Sequence, residues 1–303
     1  MNLRRVRKSI KRYLVYLLVR LLAGVWSCLP VAAALALGRG LGRLALVVAS
    51  SDRRRAVRQL QERLALTEAE AGRVVVRMAR HLGAVAAEIV LLPRLVRDLD
   101  RYVTMDPDGR RVIEAAVAEG KGVVLITGHL GSWELLAQRV VVSGFEGSTV
   151  VRANPNPYLS DWLIRRRRIA GLEVVDRDHP VAARKLFKAL GRGAVVGFLI
   201  DQDTRVASTF VPFFGRLAAT PVVPAKLALR RGAPVVTAFI ERTPDGHLMR
   251  AERLSVEDLE GEDLEAKATA LTGRMTAAIE ASIRARPHEW VWFHDRWRRR
   301  PEA

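Results

Sequence analysis

From about residue 100 onward, short apolar runs alternate with longer segments of helical period. Val123–Thr127, Ser148–Arg152, Glu173–Val175, Ala194–Ile200 and Pro234–Ile240 have the length and aliphatic character of strands. Trp133–Ser143, Leu159–Ala170, Val181–Leu190, Val222–Arg231 and Leu264–Ala285 read as helices. This alternation predicts an α/β fold with a mainly parallel central sheet flanked by helices. A sixth strand, Leu248–Arg253, is expected as an antiparallel edge. Residues 52–99 read as two helices, the first capped by Asp52 and the second by Thr67 in Thr67-Glu-Ala-Glu70. His81 and Glu88, seven residues apart, share a face of the second. Their expected role is structural or solvent-facing, with a cleft as the alternative for Glu88.

The first 50 residues follow another pattern. They hold nine basic residues and no acidic one. Arg4, Arg5, Arg7, Lys8, Lys11 and Arg12 precede a Tyr- and Leu-rich run, and Leu21–Gly38 is an uncharged stretch of 18 residues. That length qualifies as a membrane span, and the basic-then-apolar order also suits a helix lying in the interface. We read residues 1–50 as a membrane-associating helical anchor and 51–303 as one folded domain. The positive-inside rule places the basic end in the cytoplasm. Gly38-Arg-Gly-Leu-Gly42 lacks the spacing and βαβ context of a dinucleotide loop and is rejected as one.

Across 303 residues, 50 Lys+Arg exceed 32 Asp+Glu, a net charge of +18. Such an excess implies an anionic partner: nucleic acid, an anionic membrane surface, or an acidic substrate or carrier. The one cysteine, Cys28, excludes an internal disulfide framework and a thiolate metal cluster.

The candidate chemistry begins at the exit of the Val123–Thr127 strand, in Gly128-His-Leu-Gly-Ser-Trp-Glu134. Open α/β sheets place active sites at such exits. His129 is a general base there, able to take a proton from a hydroxyl near neutral pH. Glu134 reaches it only if His129 lies in the turn and Glu134 in the first helical turn, which Gly131 and Ser132 permit. The alternative is a His satisfied in a loop and a Glu stabilising a helix N-terminus. Four more clusters follow. Arg152 stands in Val150-Val-Arg-Ala-Asn-Pro-Asn-Pro157, placed to bind phosphate or carboxylate. Asp201 and Asp203 stand in Ile200-Asp-Gln-Asp203. Then come Val211-Pro-Phe-Phe-Gly-Arg-Leu-Ala-Ala-Thr-Pro221 and Arg286-Pro-His-Glu-Trp-Val-Trp-Phe-His-Asp-Arg-Trp297. The last is either a lipid-interface belt or a lid tied over the core by Arg–aromatic contacts. His288 and His294 are expected to pack among its tryptophans.

Taken in order, these five blocks resemble the late acyltransferases of lipid A biosynthesis, within the wider lysophospholipid acyltransferase superfamily. The resemblance spans about residues 10–298. It implies an enzyme of the bacterial inner membrane, on the cytoplasmic face, that moves a fatty acyl chain from acyl carrier protein or acyl-CoA to a hydroxyl of a glycolipid. It implies His129 as general base, and Glu134 as the acid that orients it or holds the turn. It also implies Asp201 as a second acid pairing with His129 or Arg152, and Arg152 as a contact for anionic substrate groups. Which carboxylate meets the imidazole stays open. Glycerol-phosphate acyltransferases carry a Pro-Glu-Gly-Thr-Arg block after the His motif, and this chain has none.

No Gly-x-Ser-x-Gly elbow is present, so the acceptor hydroxyl is expected to attack directly, without an acyl-enzyme. Backbone N–H groups of Gly131 and Ser132 are the expected oxyanion donors. No metal or other cofactor is required: the six histidines show no metal-ligand spacing. A lipid A precursor is the first acceptor. A mannosylated phosphatidylinositol is the second, although enzymes of that kind more often carry Asp at the Glu134 position. The rival of another class is a non-catalytic basic protein binding nucleic acid or membrane through Arg165–Arg168 and Arg298–Arg300. We read those tracts as a solvated helix face and tail, and expect no nucleic-acid partner. Extraction separates the two: an anchored enzyme needs detergent, a nucleic-acid binder is released by salt.

Overall fold

The computed structural model describes residues 3–259, 261 and 263–301. Four helices come first: α1 (Leu3–Ser27), α2 (Val31–Val48), α3 (Ser50–Leu64) and α4 (Glu68–Leu95). Then come α5 (Leu99–Tyr102), β1 (Val103–Met105) and α6 (Pro107–Ala118). Strict alternation follows in β2 (Val123–Thr127), α7 (Trp133–Val142), β3 (Gly147–Val151), α8 (Pro157–Arg167), β4 (Glu173–Asp176), α9 (Ala182–Gly191) and β5 (Val195–Leu199). The hairpin β6 (Ser208–Phe213) and β7 (Arg216–Pro221) precedes α10 (Val223–Arg231), β8 (Val235–Arg242), β9 (His247–Leu254) and α11 (Leu264–Ala285).

The main sheet has the order β1-β9-β8-β2-β5-β3-β4. Strands β8, β2, β5, β3 and β4 are parallel, as the alternation predicts. Strand β2 is buried along its whole length, so its two faces feed two cores. Val124 and Ile126 join Phe198, Leu186, Met275 and the C-terminal tryptophans on one side. Val123 and Leu125 join Ile113, Leu135, Leu136 and Ile240 on the other. Helix α4 contributes Val75 and Met78 to the first core and Leu91 and Leu92 to the second.

Three expectations are corrected. Strand β9 is antiparallel to β8, but it is not the edge, because β1 pairs outside it. Three residues are too few to display a period of two, so β1 leaves no pattern in the sequence. The hairpin β6–β7, which includes the Val211–Pro221 cluster, was not among the predicted strands. Its two-residue turn, Phe214-Gly215, has φ values of 51° and 71°, the left-handed pair a tight hairpin requires. Phe214 is held in that disfavoured backbone by burial against Trp290, Trp292 and Trp297. Lastly, α3 starts at Ser50 behind Ala49, so Asp52 is not its cap; it lies in the first turn and pairs with Arg55 at 2.8 Å. Thr67 and Glu70 do form the expected reciprocal cap of α4.

Gly38 and Gly42 have a structural use. Helix α2 lies against α4 so closely that a β-carbon on Gly38 would sit 2.3 Å from the Gly83 carbonyl oxygen. One on Gly42 would sit 2.0 Å from the Ala79 oxygen, and one on Gly83 1.9 Å from the Gly38 oxygen. Small residues at these positions let the backbones touch. Gly83→Val is therefore expected to destabilise the protein by about 1–3 kcal/mol, as overpacking does. The check is thermal unfolding in detergent, and an unchanged midpoint would reject the seam.

Helix α2 is long and apolar enough to cross a membrane. Its Leu37, Leu41, Leu44, Val47 and Val48 are exposed, as are Ile10, Leu14, Leu17, Leu18, Leu21 and Leu22 of α1. The inner side of α1 is tied to the domain. Tyr13 and Tyr16 pack on Tyr158 of α8, and Asn156 Nδ2 donates to the Arg12 carbonyl at 2.9 Å.

Candidate active site

The register of two neighbouring strands creates the site. Thr127 of β2 pairs with Leu199 of β5. Two residues further along each chain come His129 and Asp201, so both side chains emerge together at the carboxyl edge of the sheet. His129 Nδ1 lies 2.9 Å from Asp201 Oδ1, and the His129 backbone N–H donates to Asp201 Oδ2 at 2.8 Å. Trp290 Nε1 donates to the same Oδ2 at 2.7 Å. Gly128 makes the approach possible: a β-carbon there would stand 3.2–3.3 Å from the Asp201 side chain.

Burial pushes the Asp201 carboxyl up. The His129 charge and the hydrogen bonds from His129 and Trp290 outweigh it and hold the group down at about 2. Asp201 is therefore a carboxylate throughout the neutral and mildly acidic range, fixed on three donors. When the imidazole acts as a base, Asp201 accepts from its Nδ1 and leaves Nε2 as the free lone pair. The imidazole is about a quarter exposed while Asp201 is closed off. Trp133 meets the His129 ring edge-on, centroids 5.1 Å apart.

Glu134 does not touch His129. It accepts from Arg167 of α8, with Nε 2.9 Å from Oε2 and 3.1 Å from Oε1. The pair ties the first turn of α7 to the last turn of α8 beneath the histidine turn. Of the two arrangements left open, the structure places Asp201 at the imidazole and Glu134 in a brace. Arg167 was missed because it sits in the Arg165–Arg168 tract, read as a solvated face.

The Gly131 amide, expected as an oxyanion donor, donates instead to the Glu289 carbonyl at 3.2 Å. Its φ of +63° turns the chain toward α7, and a β-carbon there would lie 2.0 Å from the Ile240 oxygen. Ser132 is fully buried, and its Oγ has no partner. Helix α7 opens at Trp133 behind Ser132, so its positive dipole end lies in the turn that carries the histidine. Arg152 lies one residue past the end of β3, exposed and without an ion pair among the described residues.

The C-terminal block is a lid over the core, not a belt. Trp290 and Trp292 are fully buried and stack edge-on, 4.7 Å apart. Arg296 is buried over Phe213 and donates to the Ala219 carbonyl and Thr220 Oγ1; burial lowers its pKa to about 10. His294 Nε2 accepts the Asp203 N–H at 2.9 Å. His288 Nε2 lies 3.2 Å from Arg77 Nη2. Asp203 pairs with Arg299, so the Arg298–Arg300 tail is only partly solvated. Glu88 proves fully buried, bonded to Arg242, His247 and Tyr102. Two cavities of about 300 and 290 Å³ lie elsewhere, one between β8–β9 and α11 and one beside the start of α2.

Residues 4–299 match the family model described as bacterial lipid A biosynthesis acyltransferase. The lipid A biosynthesis lauroyltransferase of Escherichia coli K12 is 32% identical over 198 residues, 64% of this chain and 62% of that protein. The lipid A biosynthesis palmitoleoyltransferase of the same organism is 28% identical over 201 residues, 65% of this chain and 62% of that protein. A phosphatidylinositol mannoside acyltransferase of Mycobacterium tuberculosis is 27% identical over 210 residues, 67% of this chain and 62% of that protein. The matched stretch thus spans 62% of the length of each of these relatives.

Proposed function

The chain belongs to the bacterial lipid A biosynthesis acyltransferase family, and on that premise we propose that it moves a fatty acyl chain from a thioester donor to a hydroxyl of a lipid A precursor. The observation that carries this reading is the buried Asp201 holding His129 at the sheet's carboxyl edge. His129 Nε2 takes the acceptor hydroxyl proton as that oxygen attacks the thioester carbonyl. Asp201 accepts the Nδ1–H bond and stabilises the imidazolium that forms. The tetrahedral oxyanion develops beside the amino end of α7, with Ser132 at its cap. The carbon–sulfur bond then breaks, and the leaving thiolate takes the proton from His129. Ester and thiol are the products, and no acyl-enzyme forms.

Glu134 and Arg167 hold the turn that carries His129, and Gly131 shapes it. Arg152 stands at the same edge as His129, next strand but one, where a phosphate or carrier carboxylate can reach it. The donor is an acyl carrier protein, whose acidic surface suits the net charge of +18, or acyl-CoA. Residues 1–50 hold the catalytic domain, 51–303, on the cytoplasmic face of the inner membrane, with the exposed leucines of α1 and α2 in contact with lipid. A second reading, acylation of a mannosylated phosphatidylinositol, is favoured by the mycobacterial relative.

An acceptor panel tests the choice. Detergent-purified protein, acyl carrier protein donors of several chain lengths, a tetra-acylated lipid A precursor and a phosphatidylinositol mannoside are assayed together by product mass. A penta-acylated lipid A product is expected; acylation of the mannoside alone would move the acceptor. In the same assay Arg152→Ala is expected to raise the acceptor or donor KM about tenfold, the loss of one charge-assisted contact. Unchanged KM for both substrates would reject that contact.

A further inference from the structure

Helices α1 and α8 run side by side, registered by Tyr13 and Tyr16 against Tyr158. Four residues beyond Tyr16 comes Arg20; four and eight beyond Tyr158 come Trp162 and Arg166. Helical spacing keeps each set on one face, so both arginines lie toward the α1–α8 junction, where α4 also packs. Arg166 Nη1 donates to the Val90 carbonyl of α4 at 3.1 Å, and its guanidinium lies 4.2 Å from the Trp162 ring centre. Its Nε is buried with no hydrogen-bond partner. Arg20 Nη1 donates to Tyr16 Oη at 3.1 Å. Neither arginine is paired with a carboxylate among the described residues, whereas the half-buried Arg167 and Arg242 are. Burial first, and the Arg20 charge second, lower the pKa of Arg166.

A pair of unneutralised guanidinium groups, one pinned on an aromatic ring and one beside a tyrosine hydroxyl, is suited to the oxygens of a phosphate. Its setting narrows the source. Leu17, Leu18 and Leu21 flank Arg20 on α1 and are all exposed. An anion reaching this junction is therefore met by apolar surface on the same helix. We propose that Arg20 and Arg166 bind the phosphate of a membrane lipid at the junction of α1 and α8. Neither arginine is bonded to His129 or Asp201 among the described residues, and lipid binding here does not require the transfer reaction. It also explains why the Arg165–Arg168 tract is so dense. Arg167 braces Glu134 and Arg166 serves the lipid, which leaves Arg165 and Arg168 to the surface.

The test uses the full chain in a neutral detergent, titrated with dihexanoyl phosphatidic acid and, separately, with inorganic phosphate. Arg20→Gln, Arg166→Gln, the double variant and Arg165→Gln are compared with the parent. Arg20→Gln is expected to weaken phosphatidic acid binding about tenfold, the loss of one charge-assisted bond. The double variant should lose little more than either single one, since both arginines hold one group. Arg165→Gln, with the same charge change on the exposed face of α8, should change binding less than twofold. Because Arg166 also packs on Trp162, Arg20→Gln carries the decision. Without ligand it should raise the thermal midpoint by relieving repulsion, whereas a merely structural Arg20 would lower it. Equal weakening by Arg165→Gln, no effect of Arg20→Gln, or inorganic phosphate binding as tightly as phosphatidic acid would each overturn the proposal.

Discussion

Asp201→Asn is expected to fold and to lose transfer activity by roughly 10³–10⁴-fold, the effect of forcing the wrong histidine tautomer. The geometry dictates which tautomer results. Two donors, the His129 backbone N–H and Trp290 Nε1, converge on Asp201 Oδ2. In the asparagine variant only the amide oxygen can satisfy them, so the NH₂ group turns toward His129 Nδ1. Nδ1 then becomes the acceptor and the ring proton moves to Nε2. That nitrogen can no longer take a proton from a hydroxyl. His129→Ala should match this loss in kcat. The check is kcat with circular dichroism and thermal unfolding in parallel. Asp201→Asn activity within tenfold of the parent, at unchanged fold, would reject the dyad.

Glu134→Gln should act differently, mainly on stability. It leaves Arg167, whose side chain is only 22% exposed, without its carboxylate, at a cost of about 3 kcal/mol for a broken buried pair. Arg167→Met should cost a similar amount, and the double variant clearly less than the sum of the two. Activity should fall with the loosening of the histidine turn and recover in part in the double variant. A Glu134→Gln protein as stable as the parent but inactive would put Glu134 back at the chemistry. Denaturant unfolding and kcat on the four proteins of the cycle distinguish the outcomes.

The contrast between the two acids shows what the sequence makes legible. Strand β2, the turn after it and helix α7 are visible in a few residues: an apolar run, two glycines, a serine and a helical period. The alternation from residue 100 gives the parallel sheet for the same reason, since each element carries its own period. The partner of His129 lies 72 residues away and depends on β5 docking beside β2 in the register Thr127–Leu199. No local pattern states that register, so Glu134, nearby in sequence, competed with Asp201. Arg167 was hidden in a run of four arginines whose individual directions only the docking of α8 on α7 separates. Trp290 was legible as part of an aromatic block, but neither its burial nor its donation to Asp201 was. The glycines of α2 looked like a weak nucleotide motif because their partner, Gly83, belongs to another helix.

The central claim is that His129 activates the acceptor hydroxyl for direct attack on the thioester. Rapid-quench single turnover with radiolabelled acyl donor tests it, with and without acceptor, in the parent and in His129→Ala. The account predicts label passing from donor to glycolipid only in the parent and only with acceptor present, with none on the protein at any time. Label on the protein before product appears, or product at the parent rate from His129→Ala, would contradict it.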